Sequence, residues 1–286
     1  MSAADDANGA QGLVALRRMT HVDVAVTRTA VIHWMPDFPA GQAWRTPDVV
    51  TDDRGRAVVD VLGMVIRTPG AIVVVDPGAW QHDERGDVVD VVAGQPIDAA
   101  LRSLEIETDE VTHVVVTHGH ADHFSGLACD GPDGPRLMFA NASHVFPAAD
   151  WRSLAAGGRS QSSQRCLEPV ERSGLLTLVS ADYELNAAVS LLHAPGESAG
   201  HQVVRITDGG ERVYCLGDLF HFPSEFEHID WAPTHADAAV LVSSRRRVLT
   251  DAEDAASSTL VFSHGRFPGW GVVEPSDGAW RWTYQE

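Results

Sequence analysis

The chain has 286 residues, 44% of them hydrophobic and 21% charged, the make-up of a globular protein long enough to bury a core without disulfide staples. Its formal charge is −19 and its basic residues are all arginine, so the surface repels phosphate backbones and nucleic acid is excluded as the expected partner. The opening MSAADDANGAQG is acidic and polar and lacks the parts of a signal peptide, and no apolar run reaches the length of a membrane span; a cytoplasmic protein with no membrane attachment is expected.

Residues 1–12 are expected to be disordered and residues 13–286 to form a single domain. Residues 36–57 read as a long irregular insertion, a lid or an interface. MVIRTPGAIVVVDPG gives two strands about the turn Pro69-Gly70, the second apolar on both faces. QPIDAALRSLEI gives a helix, and VTHVVV another buried strand. RLMFA, LLTLV, AVSLLH, QVVRI and RVYCL are short strand candidates. HADAAVLVSSRRRVL is helical, with Arg245, Arg246 and Arg247 expected as a surface feature near its end. TLVFSH and GAWRWTY are late strands. Cys129, Cys166 and Cys215 lack C-x-x-C spacing, as suits thiols in a reducing compartment.

Directly after VTHVVV comes THGHADH, residues 117–123. His118 and His120 are spaced i, i+2, which in extended backbone points both imidazoles to one side. Asp122 and His123 follow and must turn toward a second point. Two histidines on one point, with a carboxylate and a histidine on its neighbour, is the pattern of a two-metal site, whose ions sit about 3.5–4 Å apart. Further donors stand at other strand ends: Glu197 in APGESAGH, Asp218 after RVYCLG and His264 after TLVFS. A carboxylate such as Asp218 has two oxygens and can bridge two cations. Asp76, at the end of AIVVV, is either a strand-end cap or the acceptor for the free N–H of a ligating histidine. His193, His221 and His228 are read as flanking the site. Trp34, Phe38, Trp44 and Trp80 are read either as core or lid packing or as a pocket wall.

The pieces VDPG (75–78), THGHADH (117–123), APGESAGH (194–201), GDLFH (217–221) and SHGRFPGWG (263–271) together resemble the metallo-β-lactamase superfamily. The last two look most like its branch of N-acyl-homoserine lactonases and methyl parathion hydrolase. The resemblance implies an α/β fold, an αββα sandwich of two mixed β-sheets flanked by helices. It implies two divalent metal ions, zinc first, with His118 and His120 on one, Asp122, His123 and His264 on the other, and Asp218 bridging. One departure stands out: Glu197 occupies the frame position where the family places a ligand histidine. A carboxylate can still bind zinc but favours harder ions such as manganese or iron. His201 is expected to keep a structural role.

The chemistry expected is hydrolysis of a carboxylic ester, lactone or thioester in a small-molecule substrate, with Asp122 or Asp218 passing a proton to the leaving group. A phosphoester or phosphotriester hydrolase and an iron-dependent oxidoreductase are the alternatives on this scaffold. A homodimer is the candidate assembly.

Overall fold

The computed structural model of the protein describes residues 14–42, 44–46, 49–78, 89–157 and 160–285, so the segment 1–12 and Trp80 lie outside the described residues. Strands β1 (Val14–Arg18), β2 (Asp23–Trp34), β3 (Ala57–Thr68), β4 (Ala71–Val75) and β5 (Val89–Gly94) precede helix α1 (Ile97–Ser103), strand β6 (His113–Val115) and the short helix α2 (Ala121–Phe124). A hairpin, β7 (Ala128–Gly131) and β8 (Gly134–Leu137), leads to β9 (Ser143–Pro147), helices α3 (Ala148–Ala156) and α4 (Gln161–Ser173), and β10 (Leu176–Val179). The second half contains β11 (Tyr183–Glu184), β12 (Val189–His193), β13 (Gln202–Asp208), β14 (Glu211–Cys215), α5 (Ser224–Glu227), α6 (Ala238–Glu253), β15 (Ser257–Val261), β16 (Trp270–Ser276) and β17 (Ala279–Tyr284).

Among the described residues, eight strands form one sheet in the order β1-β2-β3-β4-β6-β9-β10, with β5 paired to β2, and seven form another, β11 to β17 in chain order. Both are mixed: β4, β6, β9 and β10 run parallel in the first, β14 and β15 in the second. The AIVVV run is buried on both faces, as its sequence predicts. Val73 and Val75 enter the core between the sheets, where Val204, Ile206 and Val213 meet them from the second sheet. Val74 points the other way, under Leu101 of α1 and Leu167 and Val170 of α4. On the far side of the second sheet, Leu241, Val248 and Leu249 of α6 cover Val203, Tyr214 and Leu260. The layers are therefore helix, sheet, sheet, helix.

Two expectations are corrected, and two helices are added. Only the first part of RLMFA is strand, since β8 stops at Leu137 and the N–H of Met138 turns back to the Leu127 carbonyl. Helices α3 and α4 were not read from the sequence; α4 starts where Ser160 accepts the Ser163 N–H and ends at Gly174, whose φ of 74° breaks the helix. The arginine run is not a uniform surface feature. Arg246 and Arg247 are exposed, but Arg245 lies mid-helix on the inward stripe shared with Leu241, Val248 and Ala252 and is fully buried. Its guanidinium pairs with Glu225 and donates to the carbonyls of Leu219 (2.7 Å), Ile229 (3.1 Å) and Trp231. Glu225 in turn accepts the N–H groups of His221 and Phe222. That network anchors the loop that follows Asp218.

The insertion between β2 and β3 packs Trp44 into a small core with Ile32, Val59 and Phe222, so this segment is held against the second sheet's loops.

Candidate metal centre

Five loops meet where strands of both sheets end. Strand β4 is followed by Asp76, which has a positive φ of 46°. Its carboxylate accepts the Thr117 N–H (2.8 Å) and hydroxyl (2.7 Å) and lies 2.8 Å from Nδ1 of His123. Asp76 thus does both things the sequence allowed. It ties down the loop after β6, and it takes the Nδ1–H of His123, turning the Nε2 lone pair inward. His120 keeps an extended backbone (φ −84°, ψ 144°), which sets its Nδ1 3.0 Å from Nε2 of His118. The single turn of α2 then swings Asp122 and His123 to the second point.

The second sheet supplies Glu197, Asp218 and His264 from the loops after β12, β14 and β15. Around the first point, Nε2 of His118 lies 3.6 Å from Oε2 of Glu197 and 3.5 Å from Oδ2 of Asp218. Around the second, Oδ1 of Asp218 is 3.3 Å from Nε2 of His123 and 3.4 Å from Nε2 of His264. The same two nitrogens are 3.3 Å apart and lie 3.7 and 3.2 Å from Oδ2 of Asp122. Four donors held at the roughly 2.0–2.1 Å of zinc bonds in a tetrahedron are separated by about 3.3 Å, so both groups have the spacing of a metal's coordination shell. Oδ1 of Asp218 and Oε2 of Glu197 are buried without hydrogen-bond partners, as free donor atoms require. These residues fit a pair of cations: His118, His120, Glu197 and Asp218 form one donor group and Asp122, His123 and His264 the other, and the second oxygen of Asp218 reaches toward the latter.

The electrostatics point the same way. Burial depresses His118, helped by its neighbour His123, and keeps it neutral. Burial also opposes charging His123 and His264, yet Asp218, Asp122 and, for His123, Asp76 overcome it: His123 is held well above the ordinary value and His264 at about 10. Three carboxylates at the centre thus draw positive charge, and without cations the histidines would supply it as protons.

Two supports carry no motif. Asp150 of α3 accepts the N–H of Gly119 (2.9 Å), the hydroxyl of Ser198 (2.6 Å) and the N–H of Gly200 (2.7 Å), joining the histidine loop to the Glu197 loop. Gly200 has to be glycine here, because a Cβ would lie 2.7 Å from the Asp150 carboxylate. His235, at the approach to α6, sets its Nε2 2.9 Å from Oε1 of Glu197. His201 accepts the Asp218 N–H through Nε2 (3.1 Å), a structural contact. Of the three flanking histidines only His221 lines the cavity, 3.7 Å from Asp218; His193 ends β12 and His228 stacks on Trp231.

The cavity over the centre has a volume of about 270 Å³, with Ile32, Trp34, Phe124 and Leu154 as apolar wall. Among the described residues no arginine lines it. Trp34 is thus wall, Phe38 stands edge-on to His221 at 6.2 Å, and Trp44 is core, stacked on Phe222. No helix of the described residues is long and apolar enough to cross a membrane.

Residues 56–128 match the family model described as Metallo-beta-lactamase superfamily. An N-acyl homoserine lactonase of Bacillus thuringiensis is 26% identical over 128 residues, 44% of this chain; the chain spans about half of that relative, 46% of its length. Among solved structures, AidC, a dizinc quorum-quenching lactonase, overlays with a TM-score of 0.72 at 18% identity, over 96% of this chain and 98% of its own. The hydrolase AbOPH of the beta lactamase superfamily gives 0.76 at 15% identity over the same shares. A probable metal-dependent hydrolase from Staphylococcus aureus gives 0.77 at 19% identity, over 94% of this chain and 100% of its own. At such identities these likenesses concern the fold. The stretch that matches the metallo-β-lactamase superfamily model contains the histidine loop, and the fold of these solved structures is shared over nearly the whole chain.

Proposed function

We propose that the protein is a metal-dependent hydrolase that opens lactones or cleaves related carboxylic esters and thioesters. The observation that carries this is the division of Asp218 between two donor groups, Oδ2 toward His118 and Oδ1 toward His123 and His264. His118, His120, Glu197 and Asp218 would hold one divalent cation; Asp122, His123 and His264, with the other oxygen of Asp218, would hold the second. The pair, when bound, lowers the pKa of water toward about 7 and supplies Lewis acidity to the substrate carbonyl. Asp122, the more exposed of the two catalytic carboxylates, takes the proton that the attacking water gives up and passes it to the leaving oxygen; Asp218 would be shared by the two cations. The apolar wall takes up an acyl chain and excludes water, and the absence of arginine from the lining among the described residues favours neutral substrates over phosphate anions. Lactonase relatives favour the lactone within this class. Zinc is the first choice of metal, with Glu197 leaving manganese or iron as the alternative. Three free, buried thiols support a cytoplasmic setting.

Elemental analysis and a substrate panel test the proposal. About two metal equivalents and metal-dependent turnover of acyl lactones or aryl esters, lost in His120→Ala, are expected. Turnover of a phosphodiester alone, or bound iron with oxygen consumption and no hydrolysis, would replace it.

A further inference from the structure

Glu197 raises a problem that the proposed metal centre has to solve. An imidazole offers a cation one lone pair; a carboxylate offers two oxygens and a rotor, and can bind through either or both. Glu197 is buried, and its oxygens have different fates. Oε2 has no hydrogen-bond partner and faces Nε2 of His118 at 3.6 Å. Oε1 receives Nε2 of His235 at 2.9 Å, with Nδ1 of His120 at 3.3 Å. The hydrogen bond from His235 occupies one oxygen and leaves the other free.

His235 does not hold this place by packing, since its side chain is 45% exposed. Its loop is fixed on both sides. The N–H of Thr234 donates to the carbonyl of Asp37 (2.7 Å), and the Thr234 hydroxyl donates to the Asp37 carboxylate. The N–H of Ala232 donates to Oε1 of Gln42 (3.0 Å). On the other side, the N–H of Asp237 donates to the carbonyl of Gly196, the residue before Glu197 (2.8 Å). The insertion between β2 and β3 therefore holds the histidine, and the histidine's loop holds the backbone next to Glu197.

We propose that His235 is the positioning residue that makes Glu197 a one-oxygen metal ligand, and that Asp37 and Gln42 of the insertion set its position. Glu197 and His235 together then replace the single histidine usual in this frame. This inference rests on the metal reading above, and the experiment separates the two.

The test uses the full-length protein loaded with cobalt(II), in competition with a chromophoric chelator, alongside the visible absorption of the bound cobalt. The variants are His235→Ala, His235→Gln, Glu197→His and the double variant Glu197→His/His235→Ala. Removing the partner of a ligating group typically lowers metal affinity about 10–100-fold, and that loss is expected for one of two cobalt equivalents in His235→Ala, with an altered spectrum. His235→Gln, whose amide can still donate, should restore most of it. In the Glu197→His background, His235→Ala should cost nothing, because no carboxylate oxygen needs occupying. The recovery in His235→Gln and the absence of a loss in the Glu197→His background are outcomes that a merely structural residue would not give. Equal cobalt affinity in parent and His235→Ala, or an equal loss in both backgrounds, overturns the inference. A parent that takes up no cobalt overturns the metal reading and this inference with it. Two tightly bound equivalents without hydrolysis count against the hydrolase reading only and leave the affinity comparison to decide on His235.

Discussion

His144 lies on β9, in register with Val114 of β6 and Leu176 of β10, and is 2% exposed. Strand alternation places it on the helix-facing side of the first sheet, the side of Phe146. Burial pushes its imidazole down from 6.5 to about 4. The sign follows from which state binds the proton. The unfolded chain takes up a proton below 6.5 and the folded chain resists until about 4, so stability present above 6.5 is lost as the pH falls toward 4. At 1.36 kcal/mol per pKa unit the loss from this one group is about 2 kcal/mol at pH 5 and about 3 kcal/mol at pH 4. Many carboxylates titrate over the same range, and metal release adds to them, so wild type alone cannot isolate it. The comparison is urea unfolding of wild type and His144→Leu at pH 7 and pH 5. The difference between the two stabilities should move by about 2 kcal/mol in favour of the variant on acidification. A difference constant to within about 0.5 kcal/mol would refute the argument, because it would mean that the folded protein protonates His144 as readily as the unfolded chain does.

Asp122→Ala should lower the metal content from about two equivalents to about one, read by elemental analysis, since His118, His120 and Glu197 do not depend on it. Asp150→Ala strands the donors of Gly119, Ser198 and Gly200, and should cost about 3 kcal/mol or more in chemical unfolding, together with weaker metal binding. Arg245→Met leaves Glu225 buried without its cation and should cost about 3–5 kcal/mol; adding Glu225→Gln should recover a large part, and no recovery would show that the packing of the guanidinium matters more than its charge.

Strands β4, β6, β12, β13, β14 and β15 were legible because they are short apolar runs bounded by turns, whereas β2 and β9 of the first sheet were not read. The histidine loop was legible because its ligating groups fall within seven adjacent residues. The rest of the site is dispersed. Glu197 was readable as a donor just past a strand end and, against the family frame, as a replacement for a ligand histidine, but His235, which it touches, stands in a loop with nothing around it to mark the contact. Asp150 was hidden with its helix: AADWRSLAA has only Trp151 and Leu154 as large apolar residues to mark its buried stripe, although three of the site's loop donors converge on that one carboxylate. In α4 the polar start and Pro169 mask the helix, though Cys166, Leu167 and Val170 at i, i+1 and i+4 form its buried stripe. Arg245 was misread because an arginine triplet suggests solvent; the helical period, applied through Leu241 and Val248, would have turned it inward.

The two sheets contribute separately to the donor groups: His118, His120, Asp122 and His123 follow β6 in the first, while Glu197, Asp218 and His264 leave strands of the second. Cations held by both sets would act as rivets across the sandwich. Gln202, which donates from β13 to the carbonyls of Val116 and Thr117, and Leu62 of β3, whose N–H donates to the Ser263 carbonyl (2.8 Å), join the same edge by hydrogen bonds as Asp150 does. Metal retention would then report on how tightly the layers are closed. A cavity cut between the sheets, at Val204 or Ile206, would speed loss of the ions without touching a ligand, and chelation would in turn loosen the seam from its rim.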